Sequence, residues 1–121
     1  YIKSNQLSKE EKLSETIERG RVYKEAGADC LYPIFLKDKK DIETIIKVVD
    51  LPVNILLTGG IPNFNELKKI GVARLSLGGN YLKFALNAMK NVAEELLNFE
   101  GMSDITNNSV TSEYLKSLIK K

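Results

Sequence analysis

Two glycine pairs, Gly59-Gly60 and Gly78-Gly79, each follow a short aliphatic run in this 121-residue chain. Glycine has no side chain to hold a ligand away from the backbone, so its amides can be approached closely. Such amides, together with the start of a following helix, commonly bind phosphate or carboxylate groups. The pairs predict an anion site with Thr58, Asn80 and Tyr81 as side-chain donors. The alternative is that each pair only makes a tight turn.

Three polar residues stand in apolar runs and are further candidates for binding a substrate. Asn54 lies in the most aliphatic run of the chain, and a buried amide must be hydrogen-bonded. The hydrogen-bond partner of this amide is either another group of the protein, in a structural role, or a substrate. Tyr32 and Ser76 have the same two interpretations, with the structural one favoured.

Acidic and nucleophilic residues give little indication of catalysis or of metal binding in this chain. It contains no His, which removes the commonest general base and excludes zinc sites and Ser-His-Asp triads. Asp38, Asp41 and Glu66 are better placed as helix caps or first-turn charges than as metal ligands. Cys30 lies in an apolar run and is interpreted as a small buried hydrophobe. No catalytic residue and no metal ligand is predicted here.

The elements that must position these residues alternate in type along the chain. Strands are predicted at Cys30 to Phe35, in the run from Leu51 that breaks at Gly59-Gly60, and at Ala73 to Leu77. Helical patterns fill the gaps between them, as in βαβ units with a parallel sheet. The carboxyl ends of parallel strands meet at one edge, and binding chemistry is sought there.

Helix boundaries are indicated by capping residues and by glycines. Ser8 and Glu11 form a capping-box pattern, and Gly27 and Gly71 are typical helix stops that each lead into a strand, as a weak internal repeat. The predicted helices are Lys9 to Ala26, Lys39 to Val49, Asn63 to Gly71, Tyr81 to Phe99 and Thr111 to Lys121. Gly101 is expected to cap the fourth helix, whose apolar stripe, with Leu82, Leu86 and Met89, is expected to be core. Residues 102–110 are expected to form a polar linker.

Composition places the chain among ordinary globular proteins, with 43% hydrophobic and 28% charged residues and a formal net charge of +2. Basic and acidic residues alternate, so a nucleic-acid partner is not expected. No run approaches the ~20 apolar residues needed to cross a bilayer. A cytoplasmic protein without a membrane partner is the default expectation.

Three parallel strands alone would leave two open sheet edges, which buried parallel sheets do not tolerate. The predicted fold class is therefore α/β, with parallel βα repeats forming the closing part of a (β/α)8 TIM-type barrel. Such a barrel typically needs about 250 residues. Residues 1–101 would form this portion, and residues 102–121 a linker with a short appended helix.

The chain resembles the C-terminal half of the isocitrate lyase and phosphoenolpyruvate mutase superfamily, closest to its phosphonomutase-like members. The match covers roughly Leu13 to Leu97. It is carried by three segments: Ile17 to Cys30, Leu51-Pro52-Val53-Asn54-Ile55-Leu56, and Gly71 to Gly79 with the helix after it.

The resemblance implies a barrel that binds Mg²⁺ and a 2-oxo acid or phosphonate, and cleaves or forms a C–C or P–C bond next to an enolate. The three strands would be its sixth, seventh and eighth. The metal ligands and the catalytic loop would belong to the part before Tyr1, so the chain alone is expected to be inactive. The missing N-terminal half is the implied partner, and the full-length form is expected to be a homo-oligomer.

Two positions carry over from the family pattern. Asn54 matches its Pro-Val-Asn motif, and Pro33 matches the end of its sixth strand. Several lyases have an acidic residue next to that proline, whereas this chain has Ile34, which argues against classical isocitrate or methylisocitrate cleavage. The site residues expected to contact substrate are Asn54, Thr58, Gly59, Gly60, Gly78, Gly79 and Tyr32.

Two other functions are compatible with the sequence. One is a phosphate-binding TIM-barrel fragment of another family, suggested by the glycine pairs. The other is a non-catalytic truncated remnant that acts as an interaction module through its strand edges and the face from Tyr114 to Ile119.

Overall fold

The first helix, α1 (Lys9–Glu25), begins at a capping box, as the sequence predicts. In the computed structural model, which describes residues 6–119, the Ser8 hydroxyl accepts a hydrogen bond from the Glu11 amide at 3.1 Å. The Glu11 carboxylate accepts one from the Ser8 amide at 2.7 Å. Two amides that a helix start would otherwise leave unpaired are thereby satisfied.

Two glycines end helices in the same way, which confirms the predicted repeat of this device. Gly27 follows α1 with a φ of +92°, and Gly71 follows α3 (Phe64–Lys69) with a φ of +89°. After each glycine the chain turns back to bond the last helical carbonyls: Ala28 N donates to Tyr23 O at 2.9 Å, and Val72 N to Leu67 O at 3.0 Å. These are Schellman motifs, in which glycine adopts the left-handed conformation without steric cost.

The second helix, α2 (Lys39–Val49), has the predicted boundaries, and its N-cap is Asp38. Its buried face consists of Ile42, Ile45 and Val49, at the spacing that places side chains on one side of a helix. This face packs against α1 and the sheet in the main core. Among the described residues, its buried hydrophobic members are Leu31, Leu36, Ile42, Ile45, Val49, Val53, Ile55 and Leu67.

In the described part of the chain, the sheet consists of two parallel strands, β1 (Asn54–Leu56) and β2 (Arg74–Ser76). Asn54 lies opposite Arg74, and Leu56 lies opposite Ser76. The connection between them contains α3, so this is the predicted βαβ unit. Both strands are shorter than the aliphatic runs that contain them. Their carboxyl ends lie at the same edge, followed by the two glycine pairs.

The strand predicted at Cys30 to Phe35 is wrong in extent. It is reduced to a single parallel bridge between Leu31 and Val53. Pro33 has no N–H to donate to a ladder, and the chain turns immediately after it, with Leu36 N donating to Pro33 O at 3.2 Å. Phe35, within that turn, is left-handed with a φ of +65°. A proline and a turn together thus end the strand.

The described residues divide into two compact units, one ending at Gly78 and the other beginning at Gly79. The second unit contains α4 (Asn80–Leu97), α5 (Met102–Thr106) and α6 (Ser112–Ile119). The linker predicted at 102–110 thus includes a short helix.

Two expectations for α4 are wrong. Its C-terminus is formed by Phe99, left-handed at φ +63°, with Phe99 N bonding Leu96 O and Glu100 N bonding Glu95 O. Gly101 instead precedes α5 as its N-cap. Met89, expected in the core, is 68% exposed.

Candidate functional site

The strand-end loops of the first unit are tied together by a lysine. Lys37 follows the turn after Leu31, and its Nζ donates a hydrogen bond to the backbone carbonyl of Gly59 at 2.8 Å. Gly59 follows β1, so the bond joins two loops that are 22 residues apart in sequence. Nothing in the local sequence around Lys37 indicates this contact. Only the fold brings the two segments together.

Thr58 lies between the end of β1 and the first glycine pair. Its Oγ1 is buried and has no hydrogen-bond partner among the described residues. A buried hydroxyl without a partner costs free energy and requires an explanation, such as a ligand or a water molecule that completes it. Thr58 is the predicted site residue that most clearly has unused bonding capacity.

Asn54 is fully buried at the start of β1, and its amide is satisfied within the chain. Its Nδ2 donates to the Ser76 hydroxyl at 2.8 Å, and that hydroxyl donates to Asn54 Oδ1 at 3.1 Å. This reciprocal pair joins β1 to β2 through side chains, in addition to the backbone ladder. A contact between Asn54 and a substrate stays a prediction.

The glycines of the two pairs differ in how strictly they are required. Gly78 has a φ of +56°, and a Cβ there would lie 3.1 Å from Leu56 Cδ1, so both its conformation and its surroundings favour glycine. Gly60 has a φ of +86°. Apart from the adjacent residues in the chain, no heavy atom of residues 6–119 would lie within 4 Å of a Cβ on Gly59 or Gly79. Open space at these two positions leaves their backbone accessible, and Gly79 starts the second unit as the N-cap of α4.

Tyr32 follows the short bridge of Leu31 to Val53 in the first unit. It lines an open cavity of about 220 Å³ together with Thr16 and Arg19 of α1 and Ile34. None of the other predicted site residues lines that cavity.

The carboxylates have the structural roles that the sequence indicates. Asp38 caps α2 by accepting hydrogen bonds from the Lys40 and Asp41 amides at 2.9 and 3.1 Å. It also pairs with Lys9 at 2.9 Å, and these bonds lower the pKa of Asp38. Glu66 completes the capping box of α3.

Asp41 is more deeply buried than its position in the first turn of α2 suggests. The residue is 6% exposed, and burial, with repulsion from Asp38 as a smaller cause, raises its pKa despite the nearby Lys9. Lys9 Nζ lies 3.6 Å from Asp41 Oδ2. The hydrophobic periodicity of the sequence does not distinguish this buried carboxylate from an exposed charge in the first turn of a helix.

The described residues do not fit a magnesium site. Within residues 6–119, no three His, Cys, Asp or Glu side chains lie close enough to hold a metal ion. Asp38 and Asp41 are neighbours, but the ammonium group of Lys9 occupies the space next to both.

Within residues 6–119, no helix is both long and apolar enough to span a membrane.

Comparison with known proteins identifies relatives for most of the chain. The model of a family described as phosphoenolpyruvate phosphomutase matches residues 2–97. A crystal structure from Burkholderia cenocepacia J2315, provisionally described as a lyase/mutase, is 33% identical with a TM-score of 0.72. A second protein from that organism, provisionally described as a phosphonomutase, is 29% identical with a TM-score of 0.69. No curated protein sequence matches.

These matches cover most of this chain but only part of its relatives. The first structure matches 87% of this chain, which spans 38% of that protein, and the second matches 76%, which spans 37%. The chain thus corresponds to little more than a third of each related structure.

Proposed function

Because the chain belongs to the phosphoenolpyruvate phosphomutase family, within the superfamily that includes isocitrate lyase, we propose that it forms the closing part of a (β/α)8 barrel. Residues 1–101 would supply the last three strands with their helices, and residues 102–121 a linker and an appended helix. The full-length protein would cleave or form a C–C or P–C bond next to the enolate of a 2-oxo acid or phosphonate. The family match also argues against a phosphate-binding barrel of another family.

The observation that carries the proposal at the level of residues is the buried, unpartnered hydroxyl of Thr58. It lies at a strand end beside the accessible backbone of Gly59, where a parallel α/β fold binds its ligands. In the proposed role, Thr58 donates to an anionic group of the substrate, and the amides of the glycine pairs complete the anion site. The Lys37 bond to the Gly59 carbonyl holds that loop in place.

Asn54 and Ser76 would stabilise the two strands that lead into this loop and the next. Their reciprocal bonds fix β1 against β2 immediately before Thr58. They are proposed as positioning residues, in addition to the proposed substrate contact of Asn54. Mg²⁺, which the family implies, would have its ligands outside this chain, since the described residues provide no group that fits the ion.

The proposal is tested with the full-length protein that contains this chain. Phosphonopyruvate, oxaloacetate and pyruvate are each supplied with Mg²⁺. Changes at the P–C bond are followed by phosphorus NMR, and C–C cleavage is followed by the release of products. We expect turnover of one of these substrates by the full-length protein and none by the isolated 121-residue chain. Absence of turnover with every 2-oxo acid and phosphonate tested would contradict the reaction class.

The role of Thr58 is tested by Thr58→Val, which keeps the shape of the side chain and removes the hydroxyl. Since that hydroxyl has no partner among the described residues, the melting temperature should stay constant or rise. The KM should rise about tenfold, as expected for the loss of one hydrogen bond to a charged group. Thr44→Val, which removes a hydroxyl that bonds Lys40 O within α2, is the matched control and should leave KM unchanged. An unchanged KM in Thr58→Val would remove Thr58 from the site.

The exposed apolar face of α6 favours a second candidate function, a non-catalytic interaction module. Tyr114 and Leu115 are each 50% exposed, and Leu118 is 65% exposed. If the isolated chain were a monomer that unfolds cooperatively, this face would need no partner, and the candidate would be rejected. The same result would count against a dependent fragment of a barrel.

A further inference from the structure

A cavity of about 310 Å³ lies between the beginnings of α1 and α2. Lys9 and Lys12 line it from α1, Asp41 lines it from α2, and Lys37 and Asp38 line it from the segment before α2. The predicted substrate-binding residues do not line this cavity. The cavity is therefore distinct from the proposed substrate site.

The cavity has an excess of positive charge, with three ammonium groups and two carboxylates among its lining residues. Lys9 is neutralised by its contacts with Asp38 and Asp41. Lys37 bonds only a neutral carbonyl in the described contacts. Lys12, which is partly buried, makes no ion pair with any residue in the range 6–119. Two cationic groups thus remain available to an anion.

The same cavity contains an acceptor that lacks a donor. The Asp41 side chain is 9% exposed, and its Oδ2 has no hydrogen-bond partner among the described residues. Lys9 approaches that oxygen to 3.6 Å, which is too long for a hydrogen bond. A buried carboxylate oxygen without a donor is costly, so a ligand that supplies a hydroxyl would be stabilised here.

We propose that this cavity binds a small free oxyanion that carries its own hydroxyl, of the class of hydrogen phosphate. Its charged oxygens are held by Lys12 and Lys37, and its hydroxyl donates to Asp41 Oδ2. Charge-assisted bonds of this kind are the strong ones in proteins. A sulfate ion has no proton at neutral pH, so it would place an oxygen lone pair against the carboxylate of Asp41. The site should therefore prefer phosphate to sulfate.

The test is titration calorimetry of the full-length protein with inorganic phosphate and with sulfate, near neutral pH and at matched ionic strength. We expect saturable phosphate binding, and sulfate binding that is weaker by about tenfold or more because the hydroxyl contact to a charged group is lost. Lys12→Met should weaken phosphate binding about tenfold for the same reason. Lys40→Met, which removes one charge from an exposed position of α2 outside the cavity, should change it by less than about twofold, as expected for a screened surface charge.

Three results would overturn the proposal: no saturable binding of phosphate, equal affinity for sulfate, or equal weakening by the two lysine variants. Equal weakening by the two lysine variants would indicate that phosphate is attracted only by the overall positive charge of the protein. Thr58→Val separates this site from the strand-end site, because it should leave phosphate affinity unchanged. If Thr58→Val abolished phosphate binding and Lys12→Met did not, phosphate would be bound at the strand ends, which would refute this site and favour the proposed function.

Discussion

Gly20 in α1 faces Val49 in α2 so closely that a methyl group on Gly20 would lie 2.9 Å from Val49 Cγ1 and 3.0 Å from Cγ2. Leu31 Cδ2 would lie 3.1 Å away. Rotation of the valine side chain could turn away only one of its two methyl groups, and a β-branched residue in a helix has one strongly preferred rotamer. Glycine at this position therefore lets the two helices pack closely.

Gly20→Ala should destabilise the protein. Alanine in a helix interior gains about 1 kcal/mol over glycine, but overpacking a tight core costs about 1–3 kcal/mol, so a net loss of about 1 kcal/mol is expected. The free energy of unfolding is measured by urea denaturation. Val49→Ala should cost less in the Gly20→Ala background than in the parent, since there it also removes both contacting methyl groups. Gly59→Ala is the control, because the new methyl group would have open space around it. A Gly20→Ala protein as stable as the parent would show that α1 and α2 separate freely.

The hydrogen-bonded pair of Asn54 and Ser76 should be energetically coupled. Asn54→Ala leaves the Ser76 hydroxyl without its partner, and Ser76→Ala does the same to the amide, at a cost of about 1–3 kcal/mol each. The double variant should lose less than the sum, by about 1 kcal/mol or more, because neither unpaired group remains. Urea denaturation of the four proteins measures this coupling. Strict additivity would mean that the two side chains do not bond in solution.

Features set by neighbouring residues could be predicted from the sequence. The capping box of Ser8 and Glu11, the Asp38 cap and the helix stops at Gly27 and Gly71 all depend on residues within a few positions of one another, and all are confirmed. The parallel pairing of the second and third aliphatic runs also followed, because helical periodicity between them leaves few other connections.

Features set by tertiary approach could not be predicted. Lys37 reaches the Gly59 carbonyl, and Asp41 is buried, only because distant segments meet. A lysine or an aspartate at the same place in another fold would be solvated. The turn after Pro33 shortened a strand whose composition was favourable, so local backbone chemistry opposed the β propensity of the run. The roles of Thr58 and of the glycine pairs in binding stay predictions.

Phe99 is left-handed at the C-terminus of α4, and it is 99% exposed. A left-handed conformation costs a residue with a Cβ about 1–2 kcal/mol, whereas glycine adopts it freely. Phe99→Gly should therefore stabilise the second unit by about 1 kcal/mol, with little packing to lose. The melting temperature measures the gain. Phe99→Ala keeps the strained conformation and should give no such increase; a similar gain from both variants would attribute the effect to loss of the exposed ring.

Asp41 should make stability fall as the pH rises, against the trend of the other shifted carboxylates. Its pKa is raised, chiefly by burial, so the folded protein retains this proton at a pH at which the unfolded chain has released it. The contribution is complete below the unfolded pKa, for which the ordinary value is 3.8, and it is lost as the pH rises through the folded pKa. Asp38 has a lowered pKa and acts in the opposite sense.

Asp41→Asn isolates this contribution, since asparagine has nearly the same shape and no charge. At acidic pH, where Asp41 is protonated, the variant and the parent should have similar free energies of unfolding. As the pH rises above the ordinary Asp value, the variant should become progressively more stable relative to the parent, because it carries no buried charge. Urea denaturation of both proteins at a series of pH values measures the difference, with Asp29→Asn at an exposed position as control. A difference that changes in the opposite direction would mean that the Lys9 contact outweighs the cost of burial and that the Asp41 pKa is lowered in the folded protein.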